Sequence, residues 1–111
     1  MPRRRAALVA AAVAASVAAT LPSAAAQGSG RTHEIVIQGL RYVPETLKVR
    51  RGDVVVWTNK DPFPHTATAK GAFDSKPIAE GHSWRWTATR AGTFAYVCTL
   101  HSNMKGSLQV E

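Results

Sequence analysis

From residue 33 onward apolar residues return at every second position, and no helical period persists. Ile35 and Ile37 alternate with Glu34 and Gln38, which predicts a half-buried strand over 33–38. Leu47 and Val49 alternate with Lys48 and Arg50 in a second, and the turn pair Gly52-Asp53 ends it. Val54-Val55-Val56-Trp57 is apolar on both faces, so it predicts a strand in the middle of a sheet, stopped by Pro62 and Pro64. A weakly alternating stretch at 65–69 predicts a fourth strand. The segment 70–81, with Gly71, Pro77 and Gly81, predicts an irregular connection with a short helical turn.

Over 82–87 the alternation is clean, with Trp84 and Trp86 on one face and Arg85 and Thr87 on the other. Ala91-Gly92 turns the chain into 93–98, where Phe94, Tyr96 and Cys98 share a face. Residues 105–110 close the pattern with Leu108 and Val110 inward. Strands this short, separated by turn residues, predict an all-β fold: a Greek-key antiparallel β-sandwich of about seven to eight strands.

The first 26 residues follow a different rule. Arg3, Arg4 and Arg5 precede an apolar run at 6–21, and Ala24-Ala25-Ala26 supplies the small residues of a cleavage site. The run is mostly alanine and shorter than the ~20 residues that span a bilayer, so a cleaved signal is expected and stable membrane insertion is not. The expected organisation is a signal peptide at 1–26, a flexible lead at 27–32 and one domain at 33–111, exported to the periplasm or beyond. Cleavage before Gln27 leaves 85 of the 111 residues.

Charge narrows the partners. Three of the 14 Lys and Arg lie in the leader, so 11 face the 7 Asp and Glu of the remainder, a formal charge of +4. These cations are scattered, with no block that makes a nucleic-acid arm. A basic surface of this kind steers association with acidic partners, and a monomer is expected.

Sulfur is confined to one place. Apart from the initiator, the only Met is Met104, and it follows the only Cys in Cys98-Thr99-Leu100-His101-Ser102-Asn103-Met104. A lone thiol in an exported protein is a liability unless it is a metal ligand, and coordination adds binding free energy to a small fold. A thiolate, imidazoles and a distant thioether favour copper, which cycles between Cu(I) and Cu(II) in a trigonal site with a weak axial ligand. Zinc sites seldom use methionine. Cys98 and His101 could be drawn as a nucleophile and its base, yet no third group orients them, so an enzyme is not expected. A second histidine must come from elsewhere. If successive strands reverse, the loops after Trp57 and after Cys98 open at the same end of the sandwich, which brings in His65; the same count leaves His82 open as a ligand. His33, next to the lead, is expected to be solvated.

At these residues the chain resembles the cupredoxins, the small blue copper proteins. The resemblance spans about 34–110 and rests on Gly52-Asp53-Val54-Val55-Val56-Trp57-Thr58-Asn59, Pro64-His65, Gly92-Thr93-Phe94-Ala95-Tyr96-Val97-Cys98, His101, Met104 and Gly106. The two residues between His101 and Met104 look most like the amicyanin branch, with plastocyanin and pseudoazurin as relatives. The resemblance implies a cupredoxin-like sandwich holding one type 1 copper on His65, Cys98, His101 and an axial Met104, and it ranks His82 below His65. It implies transfer of single electrons through the His101 edge to transient redox partners, acidic or with an apolar docking patch, across a rim of Pro62, Phe63 and Leu100. It also implies that Asn59 ties the His65 loop to Thr99, and Gly106 is expected to let the backbone return close to the site. The rival function is extracytoplasmic copper handling: storage, delivery or sensing.

Overall fold

The structure is a computed structural model that describes residues 30–111; the expected leader and the first three residues of the expected lead lie outside the described residues. Among the described residues nine strands follow one another: β1 Thr32–Ile37, β2 Tyr42–Val43, β3 Thr46–Val49, β4 Val54–Asn59, β5 Thr68–Ala69, β6 Phe73–Asp74, β7 Ser83–Thr87, β8 Gly92–Cys98 and β9 His101–Val110. They form two sheets, ordered β2-β1-β4-β7 and β3-β9-β8-β5-β6. Among the described residues no helix is long and apolar enough to cross a membrane.

The alternation reads out directly as burial. In β4 Val55, Trp57 and Asn59 are buried while Val54, Val56 and Thr58 are half-exposed, and the strand lies between β1 and β7 as its apolar composition predicts. Trp84 and Trp86 share the half-buried face of β7, and Tyr96 and Cys98 the buried face of β8. Between the sheets Ile35, Ile37, Val49, Val55, Trp57, Tyr96 and Leu108 are at most 1% exposed, and side chains of this kind contribute roughly 1.5–3 kcal/mol each on full burial. Trp57 anchors the aromatic part of this core, edge-on to Tyr96 at 5.5 Å and tilted against Phe73 at 5.4 Å.

Four details differ from the sequence reading. The sandwich is mixed, because the crossovers set β1 parallel to β4 and β3 parallel to β9. The segment 70–81 carries no helical turn: Gly71, at φ 83°, folds a hairpin that pairs Ala69 with Phe73 and buries Phe73. The end of the lead is tied down, since β1 starts at Thr32 and the Arg31 N–H donates to Asp53 Oδ1 at 2.9 Å. His33 is not simply solvated but meets Asp53 Oδ2 at 2.9 Å, with its side chain 24% exposed. Asp53 also accepts the Arg50 N–H at 3.0 Å, so one carboxylate joins the start of β1 to the β3–β4 turn.

Candidate metal centre

β8 carries Cys98 to the end of the sandwich where the β4–β5 connection also emerges. Two residues, Thr99 and Leu100, turn the chain back so that Cys98 pairs with His101, whereas the preceding Val97 pairs with Lys105. The jump in register leaves Ser102, Asn103 and Met104 without opposite numbers, a bulge of the kind that re-aims side chains at the rim of a sheet. From Met104 on, β9 alternates again, with Met104, Gly106, Leu108 and Val110 buried. Met104 is thus the first inward side chain of the returning strand, 2% exposed.

His65 comes from the other side. Pro64 precedes it, and a bridge to Ile78 fixes its backbone, with His65 N–H to Ile78 O at 3.2 Å and Ile78 N–H to His65 O at 2.7 Å. Its ring is fully buried. Phe63 packs near both imidazoles, 5.4 Å from His65 and 5.7 Å from His101 between ring centroids.

The three donor atoms nearly close an equilateral triangle. His65 Nδ1 and His101 Nδ1 are 3.1 Å apart, and Cys98 Sγ is 3.7 Å from each. A point equidistant from all three lies about 2.0 Å from each, inside the span of roughly 2.0–2.3 Å for first-row metal bonds to imidazole nitrogen and thiolate sulfur. Nitrogen and sulfur donors this close, with Cys98 and His65 buried, suit a single thiophilic ion. His82 is exposed and outside the cluster, its carbonyl instead accepting the Asn59 N–H at 3.0 Å.

The groups around the triangle differ in part from expectation. Asn59 does not bond Thr99; its Nδ2 donates to the carbonyls of Phe63 at 2.8 Å and Ile78 at 2.9 Å, and its Oδ1 accepts the Asp61 N–H at 2.9 Å. Thr66 makes the tie instead. Its Oγ1 accepts the Thr99 N–H at 2.9 Å, and its own N–H points at Cys98 Sγ at 3.3 Å. Tyr42 donates its hydroxyl to the Thr66 carbonyl, and burial, with the nearby Cys98 second, pushes the Tyr42 phenol up so that it stays a donor. Gly106 serves packing: it lies opposite Tyr96, and a Cβ there would strike the Tyr96 ring.

Asp61, buried four residues before His65, bonds His65 Nε2 at 2.8 Å and accepts the N–H groups of Gly39 at 2.7 Å and Leu40 at 2.9 Å. Burial pushes its carboxyl up, but the Leu40 and Gly39 N–H groups and the His65 ring outweigh burial and hold it below the ordinary value. Leu40 was not among the expected site residues; a leucine with φ 60° in a solvent-facing loop is a signal only the backbone supplies. It lines a cleft of about 310 Å³ with Leu100, His101, Ser102, Asn103 and Met104. Leu40, Phe63 and Leu100 are 44%, 41% and 49% exposed, so large apolar side chains surround the half-buried His101 ring.

The comparisons with known proteins agree with this geometry. The family described as Cupredoxin-like domain matches residues 7–110. Amicyanin of Paracoccus denitrificans is 32% identical over 103 residues, covering 84% of this chain and 79% of that protein. The Cu(I) form of an amicyanin mutant superposes with a TM-score of 0.70 at 29% identity, covering 78% of this chain and 89% of that one. The copper-containing nitrite reductase of Thermus scotoductus shares the fold alone, at 24% identity and a TM-score of 0.68, and the 72% of this chain that aligns spans 22% of that enzyme. By the extent of these matches and the arrangement of its strands, the chain belongs to the cupredoxin-like family.

Proposed function

We propose that this protein carries single electrons on one type 1 copper ion, held by His65, Cys98 and His101 in a trigonal set with Met104 as the axial ligand. The observation that carries the reading is the triangle of 3.1, 3.7 and 3.7 Å between three donors. Copper bound there supplies a one-electron couple whose potential is tuned by the axial ligand and by hydrogen bonds to the sulfur. The protein's part is to keep the donors still. The bridge to Ile78 fixes His65, the Thr66–Thr99 bond clamps the cysteine loop to the histidine loop, and the Thr66 N–H shares the charge of the Cys98 sulfur. Donors that do not move between oxidation states leave little rearrangement to slow the electron. The reading makes the protein a carrier, not an enzyme, since no bond of a substrate is made or broken.

Electrons enter and leave through His101, the one ligand ring that is not fully buried among the three clustered donors. The exposed apolar side chains of Leu40, Phe63 and Leu100 are the docking surface, on a domain whose cations outnumber its carboxylates, 11 Lys and Arg to 7 Asp and Glu. Such a surface suits a transient redox partner with an acidic rim, and interfaces of that class are small. The leader at 1–26 supports export to the periplasm. Cyclic voltammetry of the copper-loaded protein tests the function: a reversible one-electron wave with rapid self-exchange is expected, while loss of copper to a mild chelator within the same interval would favour copper delivery instead.

A further inference from the structure

We propose that Asp61 is a positioning residue that selects the tautomer of His65 and so aims the bare Nδ1 of that ring at the centre of the donor triangle. Both Asp61 oxygens are engaged by groups that can only donate: Gly39 N–H on Oδ1 at 2.7 Å and Leu40 N–H on Oδ2 at 2.9 Å. These donors favour the ionised carboxylate, which has only acceptor sites to offer the imidazole, so His65 Nε2, at 2.8 Å from Oδ2, carries the proton. With Nε2 protonated, the lone pair of the neutral ring lies on Nδ1, the atom that stands 3.1 Å from His101 Nδ1 and 3.7 Å from Cys98 Sγ. The choice is made within the protein and does not wait for a metal. Asp61 is in turn held by the Asn59 side chain through its own N–H at 2.9 Å, and it keeps Leu40 in the left-handed backbone region at φ 60°. One carboxylate thus connects the loop that presents Leu40 to solvent with the ring that faces the centre.

The same carboxylate adds negative charge behind the ring, which favours the more highly charged state of an ion bound in front of it. This second consequence rests on the copper reading above; the tautomer does not. Asp61→Ala removes the acceptor from His65 Nε2 altogether, so nothing on that side of the ring holds the proton there and the Nδ1-protonated tautomer becomes populated as well.

The test is nitrogen-15 NMR of the imidazoles in metal-free protein, followed by copper titration and voltammetry. The native chain is expected to show His65 protonated at Nε2, and Asp61→Ala to show a mixture of tautomers, to bind copper about 10- to 100-fold more weakly and to have a raised reduction potential. Asp61→Glu, which restores the charge, is expected to return the single Nε2 tautomer. A native His65 protonated at Nδ1, or a folded Asp61→Ala chain with unchanged tautomer and potential, would overturn the proposal. If the alanine variant fails to fold, the tautomer of the native chain decides. Should the native chain bind no copper, the proposed function fails while the tautomer still tests the role of Asp61.

Discussion

The Thr66 hydroxyl accepts the backbone N–H of Thr99 at 2.9 Å, closing a loop 33 residues apart in sequence and fastening the two ligand-bearing segments to each other. Because the Thr66 N–H also points at Cys98 Sγ at 3.3 Å, one threonine governs both the spacing of the loops and the electrostatics of the sulfur. Thr66→Val removes the first role and spares the second. The Thr99 amide then lacks its partner, a loss of about 1–2 kcal/mol. Denaturant unfolding should show it, and copper release to a chelator should be faster with the visible spectrum little changed.

Gly106→Ala should be far more damaging than its size suggests. Gly106 faces Tyr96 across the β8–β9 ladder, and the Tyr96 ring, 1% exposed and stacked edge-on against Tyr42 at 4.6 Å, has nowhere to go. A destabilisation of about 2–3 kcal/mol is expected from the forced repacking, measured by urea unfolding of the metal-free protein. Wild-type stability would contradict the packing account of this glycine.

Acid stability should depend on Asp53. The Arg50 N–H first, then His33 and the Arg31 N–H, outweigh burial and hold its carboxyl down at about 2, against an ordinary 3.8. A carboxylate whose value is lowered on folding contributes stability that is complete above the unfolded value and is lost as pH falls through the folded one. Asp53→Asn should therefore cost about 2 kcal/mol near neutrality and progressively less between pH 4 and 2, where the native chain loses the same contribution. Thermal unfolding of both chains across that window checks the convergence.

Met104→Leu keeps a buried apolar group of similar volume at the first inward position of β9 and removes the thioether. With Met104 as the axial ligand, the copper protein should keep its colour and gain a higher reduction potential, since a weaker axial donor stabilises Cu(II) less. An unchanged potential would remove Met104 from the ligand set.

Much of this was legible in the sequence, for reasons that individual residues make plain. Alternation around Trp57, Trp84 and Tyr96 reports which face is buried, and those strands lie where the pattern puts them. It does not report which strand is the neighbour, so the parallel pairings of β1 with β4 and β3 with β9 were invisible. Two-residue strands such as Tyr42–Val43 and Phe73–Asp74 contain no period to detect. Cys98, His65 and His101 stood out because few other roles suit those side chains in so small a chain. Asp61 and Thr66 did not, because carboxylates and hydroxyls have many uses and their partners here come from segments distant in sequence. The expected Asn59–Thr99 bond is replaced: the Thr99 N–H donates to Thr66 Oγ1, and the Asn59 amide turns to Phe63, Ile78 and Asp61 within its own loop and the neighbouring segment.

The most direct test of the central claim is the visible absorption and electron-spin spectrum of the chain loaded with one equivalent of Cu(II), alongside Cys98→Ser. An intense thiolate-to-copper charge-transfer band, blue or green, is predicted for the native chain and should vanish in the variant while the β-sheet circular dichroism persists. Copper bound without that band, or a band that survives the loss of the Cys98 sulfur, would contradict the account.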